Sequence, residues 1–446
     1  MRIFLPAFVL LISACGGSQA VKRDSNISGP DPALPAPQRS LIPTVDIAPE
    51  KGWTAGTAPI PAAGLRVTPF ASGLQHPRWL YVLPNGDVLV AETNGPVGKS
   101  GVKGLKGKVM GLLMKRAGAG VPSAERISLL RDADGDGHAE LVQPFLVGLH
   151  SPSGMALVGD TLYVANADAL VSVPYRRGQT RISDQPRLVI ALPGKSGELN
   201  HHWTKSLLAS HDGRRLYVGV GSNSNAGENG MAVETDRAAV WEVDPIARTY
   251  RVFASGLRNP VGLAWAPGTD HLWAVVNERD ELGNDLVPDY LTEVHAGAFY
   301  GWPYSYYGQH LDPRVKPQQP ALVARAIMPD YALGNHVASL GLAFSKGGSW
   351  SDGRGGAVIG LHGSWNRKPP AGYKVVFVPF VGGRPSGPMQ DLLTGFLDAQ
   401  GDARGRPVGI AVQADGGILV GDDVGNTIWR LSAESSVARP QTKKRP

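Results

Sequence analysis

The chain has 446 residues, of which 42% are hydrophobic and 18% charged, and it contains 57 glycines and 36 prolines. Apolar side chains are therefore numerous enough for a large core, and turn residues are too frequent for a helical bundle. The net charge of +6 is modest, and the basic residues are scattered among Gly and Asp rather than interleaved with aromatic residues, so nucleic-acid binding is not predicted.

The N-terminus is predicted to be an export signal. An apolar run over residues 3–12 is followed by small residues, and the run is too short to favour a membrane-spanning helix. Residues 11–15 read LISAC and resemble a bacterial lipobox, so residues 1–15 are predicted as a lipoprotein signal that ends at the lipidated Cys15. The protein would then face the periplasm from the outer membrane. The alternative is a simple signal peptide that leaves a soluble periplasmic protein.

Two segments are predicted to lie outside the folded domain. Residues 16–64 contain eight prolines, few large apolar residues and no sustained period, which predicts a flexible tether. If Cys15 is lipidated, this tether would hold the folded part off the bilayer. Residues 433–446 end in three consecutive basic residues followed by proline and are predicted to form a basic disordered tail. Because Cys15 is the only cysteine, no internal disulfide can form, and stability must come from packing and bound ions.

Residues 65–432 repeat one phrase six times, which predicts an all-β fold, a six-bladed β-propeller. Each copy has a turn such as Gly-Leu-x-x-Pro, an apolar strand, a polar Asp/Gly turn and a second apolar strand. The copies begin near residues 73, 148, 205, 256, 340 and 405. Because the strands are apolar on both faces, they must be covered on both sides, as in sheets stacked around an axis. The strand at 65–70 is expected to close the ring with the last blade.

Polar residues just before the third, fourth and sixth copies are predicted to converge at one mouth of the propeller axis. His202 precedes the third copy, and a histidine there can accept a proton at neutral pH. Arg258 and Asn259 lie in the opening turn of the fourth copy, and Arg404 and Arg406 precede the sixth. Since guanidinium groups bind carboxylates bidentately, these arginines favour an anionic ligand. The alternative is ordinary turns with solvated arginines.

Two loops are candidate Ca²⁺ sites. Residues 277–285 carry many oxygen donors, including the carboxylates of Glu281 and Asp285, which suit a hard cation, although a solvated charged turn is the alternative. Residues 132–140 begin like an EF-hand loop, but Gln143 stands at the twelfth position where Glu is expected. A full EF-hand is therefore not predicted. A structural Ca²⁺ and a tight Asp/Gly turn both remain open for this loop.

Several phrases, taken together and in order, resemble those of the glucose/sorbosone dehydrogenases, with the sorbosone branch the most similar. They are HHWTK at 201–205, GLRNP at 256–260, NERDELG at 277–283, YGWP at 300–303, HGSWNR at 362–367 and GRPVG at 405–409. The likeness spans about residues 65 to 432. That family consists of six-bladed propellers that use pyrroloquinoline quinone (PQQ) and Ca²⁺.

The resemblance implies roles for residues at the mouth of the propeller. His202 matches the family's catalytic base, which removes the proton of the sugar's anomeric hydroxyl while a hydride passes to the quinone. Arg404 and Arg406 match the pair that holds the PQQ carboxylates. Arg258 and Asn259 match residues that reach the quinone oxygens.

The resemblance also implies a metal site and is incomplete in two places. The backbone carbonyls of Arg279 and Asp280 match the Ca²⁺ ligands, and Arg367 falls near a basic cofactor contact. Residues 204–206 read Thr-Lys-Ser where glucose-oxidising members have Gly-Arg, and the stretch around 335–336 matches poorly. The identity of the sugar is therefore not predicted.

The sequence thus predicts PQQ- and Ca²⁺-dependent oxidation of an aldose or sugar aldehyde, with electrons passed to a periplasmic acceptor. One alternative is a Ca²⁺-dependent lactone hydrolase, which would need carboxylates at the axis and would have no use for Arg404 and Arg406. The other is a non-catalytic propeller that binds glycans or proteins. His202 and the arginines before the blades favour the dehydrogenase over this last class.

Overall fold

The structure of the protein is a computed structural model that describes residues 27–38, 44–96, 120–194 and 198–434. Within these ranges the chain forms six antiparallel sheets around a common axis, which confirms the predicted six-bladed all-β propeller. Five sheets have four strands, and the sheet of blade five has six because two short strands are added to it.

The first three blades follow one another along the chain, each with four sequential strands. Blade one has strands Pro77–Val82, Val88–Glu92, Arg126–Arg131 and Leu141–Val147. Blade two has strands Gly154–Val158, Thr161–Ala165, Ala169–Pro174 and Arg187–Ala191. Blade three has strands Leu207–Ala209, Leu216–Val220, Ala239–Asp244 and Thr249–Ser255, with a 3₁₀ helix at Met231–Glu234.

Blades four to six carry longer connections. Blade four has strands Pro260–Trp265, Leu272–Val276, Pro288–Glu293 and Tyr331–Asn335, and its last connection holds a hairpin, Ser305–Tyr306 with His310–Leu311, and the helix Pro320–Val323. Blade five has strands Ser339–Ser345, Gly356–Leu361, Lys374–Val381 and Gln390–Thr394, the short strands Ile60–Pro61 and Arg384–Pro385, and a 3₁₀ helix at Ser349–Ser351. Blade six has strands Leu65–Ser72, Pro407–Val412, Ile418–Asp422 and Thr427–Ala433.

The ring closes as the sequence predicts. Strand Leu65–Ser72 pairs antiparallel with Thr427–Ala433, so the beginning and the end of the propeller share blade six. This pairing removes two sheet edges that would otherwise be free. The core lies between neighbouring blades, where the two faces of each sheet bury apolar side chains such as Trp273 and Leu291 between blades four and five.

Glycines in the inner strands permit the close approach of neighbouring blades at the axis. A Cβ atom on Gly341 would lie 2.2 Å from Val408 O, and one on Gly409 would lie 2.5 Å from Arg78 O. Real Cβ atoms do not approach backbone oxygens that closely, so any side chain here would push the blades apart. The repeated glycine of the strand phrase is therefore a packing requirement of the ring.

The segment predicted to be a flexible tether is packed on the propeller in its described parts, which corrects that prediction. We call residues 44–64 the strap. Pro49 O accepts a hydrogen bond from Ala403 N at 2.7 Å, and the Trp53 ring packs edge-on against Phe396 and Trp429. The strap ends by adding strand Ile60–Pro61 to blade five. Average composition concealed this packing because one tryptophan and backbone pairing supply the contacts.

Further upstream, the described residues 27–38 also contact the propeller, since Gly29 and Ala332 exchange backbone hydrogen bonds of 2.9 and 2.8 Å. The predicted signal at 1–15, including Cys15, lies outside the described residues. So does the predicted tail from residue 435 onward, whereas Ala433 completes the last strand. No helix in the described part of the chain has the length and apolar character needed to span a bilayer.

Candidate active site

A cavity of about 890 Å³ opens at one mouth of the propeller axis. Its walls come from the opening turns of blades three and four, from the long connection of blade four, and from blades one and five. Of the residues predicted from the sequence, five line it: His202, Arg258, Asn259, Asp280 and Glu281. The prediction that polar residues before separate blades converge at one mouth therefore describes the third and fourth blades well.

His202 is held in one orientation by Ser222, which follows the second strand of blade three. Its Nδ1 lies 2.8 Å from Ser222 O, and because a carbonyl oxygen only accepts, Nδ1 carries the hydrogen and donates. Nε2 is then the acceptor nitrogen. Burial, followed by the charge of Arg258, lowers the pKa of His202 well below its ordinary value, so the ring is neutral near pH 7. A neutral imidazole with a fixed tautomer can accept a proton at Nε2.

Arg258 is 3% exposed and uses most of its donors within the protein. Its guanidinium donates to Asn225 O at 3.2 Å, to Glu278 O at 2.7 Å and to Asp280 Oδ2 at 3.3 Å. The loop of blade three that contains Asn225 is thereby joined to the loop that follows the second strand of blade four. Arg258 thus organises the cavity wall, and its positive charge faces a cavity that also contains His202.

The loop predicted to bind Ca²⁺ is divided between the cavity and the interior. The side chain of Arg279 is completely buried and donates to Pro303 O at 2.7 Å, to Ser305 O at 2.5 Å and to Asp312 Oδ2 at 3.2 Å. The Asp280 carbonyl accepts hydrogen bonds from Asn225 Nδ2 and Arg314 Nη1, at 3.1 and 2.8 Å. Arg279 therefore joins this loop to the blade-four hairpin.

The outer end of the same loop leaves the cavity. Asp285 Oδ1 lies 3.2 Å from Arg367 Nη2, and neither residue lines the cavity. Asp285 is exposed, whereas Arg367 is buried, and Glu281 is exposed at the cavity wall. The structure therefore separates Glu281 from Asp285, two carboxylates that the sequence placed in one candidate metal site.

Three other oxygen atoms fit a hard cation better than the saturated carbonyl of Asp280. They are Glu278 Oε1, Asn259 Oδ1 and Asn366 Oδ1, which are buried, belong to cavity-lining residues and have no hydrogen-bond partner. Leaving such oxygens unpaired costs free energy, and carboxylate and amide oxygens are Ca²⁺ ligands. Behind them, burial raises the pKa of Asp289 to about 7. The residues present therefore suit a cation, with side-chain oxygens as donors.

Sequence reasoning missed an arginine from blade one. Arg78 lines the cavity, donates from Nη1 to Asp423, and has a buried Nε without a partner. His362 Nε2 lies 3.0 Å from Asp423 Oδ2. Burial opposes the charge of Asp423, but His362, His76 and Arg78 together hold its pKa well below its ordinary range. Arg78 follows a Gly-Leu-x-x-Pro turn, as Arg258 lies within one, and that parallel is the signal that could have identified it.

The two arginines predicted before blade six do not line the cavity. Arg406 is 5% exposed, donates from Nη2 to Ala48 O of the strap at 3.1 Å, and lies 5.1 Å from the Tyr373 ring centre. Its Nε is buried and unpartnered. Arg404 is half-buried, and its backbone N–H bonds Phe396 O at 2.8 Å. The unpaired donors of Arg406 and Arg78 suit an anionic group, although only Arg78 reaches the cavity.

The EF-hand-like loop lies apart from the cavity. Oxygen atoms of Asp132, Asp134, Asp136 and Glu140 all lie within 4.8 Å of one another. The Asp132 carboxylate also accepts backbone hydrogen bonds from Gly135 at 2.7 Å and Gly137 at 2.9 Å, as in a tight turn. Both alternatives considered for this loop are compatible with that geometry, and Ca²⁺ binding here stays a prediction.

Solved structures from two fungi share this fold. The holo form of the pyranose dehydrogenase PQQ domain from Coprinopsis cinerea superposes with a TM-score of 0.67 at 20% identity, over 87% of this chain and 100% of that one. The calcium structure of a Trichoderma reesei enzyme of Carbohydrate-Active Enzymes Family AA12 gives 0.67 at 19% identity, over 88% and 99%. At these identities the likeness demonstrates the shared propeller fold.

Comparison of sequences agrees with the fold. The chain is 24% identical to the PQQ-dependent pyranose dehydrogenase of Coprinopsis cinerea over 436 residues, and this match covers 84% of the chain. It covers 54% of the relative, so the chain spans about half the length of that protein. The resemblance to soluble PQQ-dependent sugar dehydrogenases is confirmed, whereas the assignment to the sorbosone branch stays a prediction. A model of the TrAA12-like family matches residues 129–296 and 316–434, more than half of the chain, and the protein therefore belongs to the TrAA12-like family.

Proposed function

We propose that the protein oxidises an aldose or sugar aldehyde with PQQ as the hydride acceptor and His202 as the base. The observation that carries this proposal is the imidazole of His202, whose Nδ1 is bonded to Ser222 O, in a cavity that also presents Arg78 and Arg258. The family membership and the names of the relatives support it.

The residues of the cavity fit the two groups that this reaction requires. PQQ carries three carboxylates, and Arg78, with an unpaired Nε, is the cation best placed to hold one of them. Glu278, Asn259 and Asn366 would hold Ca²⁺ through their unpartnered oxygens. When bound, PQQ supplies a quinone that accepts two electrons, and Ca²⁺ supplies a positive charge near the developing oxyanion.

His202 would take the proton of the reacting hydroxyl at Nε2 while its Nδ1 hydrogen stays bonded to Ser222 O. PQQ, when bound, would supply the acceptor for the hydride of the sugar's C–H bond, while His202 Nε2 would take the proton of the O–H bond and a C=O bond would form. The lowered pKa keeps the imidazole ready to accept, and the bond to Ser222 O stabilises the imidazolium that results. Protons and electrons thus leave the sugar by separate routes.

The proposal is tested by reconstituting the purified protein with PQQ and Ca²⁺ and following dye reduction with a panel of aldoses. We expect sugar-dependent reduction that requires both additions, and retention of the quinone absorbance after desalting. Protein without PQQ is the matched control. Absence of dye reduction with every sugar, together with loss of the quinone absorbance, would refute the proposal.

One observation favours the lactone hydrolase as a second candidate. Carboxylates of Glu278, Asp280 and Asp289 line the cavity, whereas Arg404 and Arg406 do not. Hydrolysis of sugar lactones by the Ca²⁺-loaded protein without PQQ would support that candidate. Arg78 and Arg258 favour the dehydrogenase, because a neutral lactone gives no role to two cavity cations.

We also propose that the chain is exported, anchored through a lipid on Cys15, and coupled to a periplasmic electron acceptor. The lipobox-like sequence at 11–15 supports this proposal. In cells fed labelled palmitate, the protein should incorporate label and sediment with membranes, and Cys15→Ser should do neither. Unlabelled wild-type protein in the soluble fraction would contradict it.

A further inference from the structure

A buried lysine lies directly behind the cavity histidine, and the proposed reaction gives it no chemical step. Lys205 is 0% exposed. Its Nζ donates to two backbone oxygens, His202 O at 3.3 Å and Trp203 O at 3.0 Å. Burying an amine beside neutral carbonyls is costly compared with burying an apolar side chain of similar length. The burial of Lys205 is therefore best explained by a structural need for the hydrogen bonds that its amine donates.

The carbonyls that Lys205 contacts have no partner in regular secondary structure, because residues 201–206 form neither a strand nor a helix. Buried backbone oxygens need a donor, and the lysine side chain turns back over its own preceding residues to supply two. Its backbone is itself fixed, since Lys205 N donates to Ser153 Oγ at 2.8 Å and Ser153 Oγ donates to Lys205 O at 2.9 Å. The side chain therefore braces the loop from a rigid position between blades two and three.

Different residues hold the two halves of the loop at residues 201–206, which we call the histidine loop. Before the side chain, His202 N donates to Ser222 O at 3.3 Å, and the ring Nδ1 contacts the same oxygen. After it, the peptide groups of His202 and Trp203 are held by Lys205 Nζ. Removing the lysine would leave His202 anchored on one side.

The same brace bears on the cavity cation. The Trp203 ring lies 5.7 Å from the guanidinium carbon of Arg78, and a Cβ atom on Gly95 would come within 3.0 Å of its Nε1. The indole of Trp203 is thus closely packed against blade one. The Lys205 amine therefore fixes the two peptide groups that flank Trp203. The proposed base, His202, precedes them, and the Trp203 ring between them supports Arg78.

We propose that Lys205 is a positioning residue that holds His202 Nε2 in the geometry required for proton transfer, and this inference rests on the proposed function. The hydrogen atoms of the amine carry the role rather than its charge. In agreement, burial and then the charge of Arg237 lower the pKa of Lys205 well below its ordinary value. A misplacement of about 1 Å at a reacting group costs up to about 100-fold in rate.

The kinetic test compares Lys205→Met with Thr292→Val in protein loaded with PQQ and Ca²⁺. Lys205→Met keeps the stem and removes the donors, so kcat should fall about 10- to 100-fold while KM and PQQ affinity stay within about 2-fold. Thr292→Val removes a buried hydrogen bond in blade four, from Thr292 Oγ1 to Asp330 Oδ2 at 2.9 Å, and leaves the contacts of Lys205 intact, so its unfolding midpoint should drop while kcat stays within about 2-fold. Equal losses of kcat in the two variants would overturn the proposal, as would an unchanged kcat in Lys205→Met.

A second measurement needs neither cofactor nor substrate. In ¹⁵N-histidine NMR spectra of the unloaded protein, the His202 signals should show the Nδ1–H tautomer in the wild type and in Thr292→Val. Lys205→Met should shift them toward a mixture of tautomers. If the loaded wild type oxidises no sugar, the proposed function fails, and this spectrum still decides the positioning role. Unaltered His202 signals in Lys205→Met would overturn it.

A third variant covers the case in which Lys205→Met does not fold. Lys205→Gln keeps N–H donors on a stem too short to hold both carbonyls, so its kcat should fall below that of the wild type and its His202 signals should shift toward a mixture of tautomers. Wild-type behaviour on lengthening the donor again, in a folded Lys205→Arg protein, would support the role. A Lys205→Gln protein with normal kcat and normal His202 signals would contradict it.

Discussion

The sequence predicts site residues in the turns before blades three and six alike, but the structure places only the turn before blade three at the cavity. Before blade three, His202 faces the cavity and is held by Ser222 O and Lys205 Nζ. Before blade six, Arg406 is covered by the strap and bonds Ala48 O. A repeat places a residue at the mouth of the ring, but what covers that turn decides whether the side chain reaches the cavity. The lesson is that the segment outside the repeat shapes the site.

Substitution of His202 is the strongest test of the difference between these two turns. His202→Ala should reduce kcat by about 1,000-fold or more while PQQ remains bound, because a general base contributes about 100- to 10,000-fold and Arg78, rather than His202, holds the cofactor in our proposal. Dye-linked kinetics and the quinone absorbance after desalting measure the two quantities. If His202→Ala loses the quinone instead, His202 is a binding residue.

Substitutions of Arg78 and Arg406 test which arginine binds the anionic cofactor. Arg78→Met should weaken PQQ binding about 10- to 100-fold, since a charge-assisted hydrogen bond to a carboxylate contributes about 1.5 to 3 kcal/mol. Arg406→Met should weaken it only a few-fold, because Arg406 lies outside the cavity wall. Fluorescence titration with PQQ distinguishes them. The reverse order of effects would show that the strap moves aside when the cofactor binds.

Removing the indole of Trp53 tests whether the strap belongs to the folded domain. Trp53 is half-buried, packs on Phe396 and Trp429, and donates to Asp422 Oδ2 at 2.6 Å. Trp53→Ala should lower the free energy of unfolding by about 2 kcal/mol, less than the 3 to 5 kcal/mol typical of a fully buried tryptophan. Chemical denaturation measures it, with Thr54→Ala, an exposed position in the same strap, as the control. An effect below about 0.5 kcal/mol would restore the flexible tether.

The smallest expected effect is in the acid limb of the rate. His202 acts as a base only when neutral, and its pKa is lowered well below 6.5 by burial and by Arg258. The neutral form therefore persists to lower pH than in an ordinary histidine, and kcat/KM should stay level as the pH falls from 8 to 6.5. Initial rates across that range are the measurement. A decline centred near 6.5 would contradict the environment described for His202.

The fold was predictable because its signal is repeated, and the site was predictable only where the chemistry follows the repeat. Ring closure by the strand at 65–72 and the placement of His202 both follow from the six phrases. The burial of Arg279 does not, because a sequence does not reveal whether a loop arginine points outward or toward carbonyls such as Pro303 O. Asn225, which bonds Arg258 and Asp280, carries no sequence signal at all.

The contact of Gly29 with Ala332 has a consequence for the distance between enzyme and membrane. A tether over residues 16–64 would allow a reach of roughly 170 Å when fully extended. If Cys15 is the anchor that we propose, the chain between it and Gly29 reaches only roughly 50 Å, and the backbone hydrogen bonds between Gly29 and Ala332 attach the chain to blade four at that point. A short linker attached at blade four would then join the propeller to the membrane. An electron acceptor within the same membrane would be close enough to collide with it repeatedly, whereas a partner on the opposite side of the periplasm would have to diffuse.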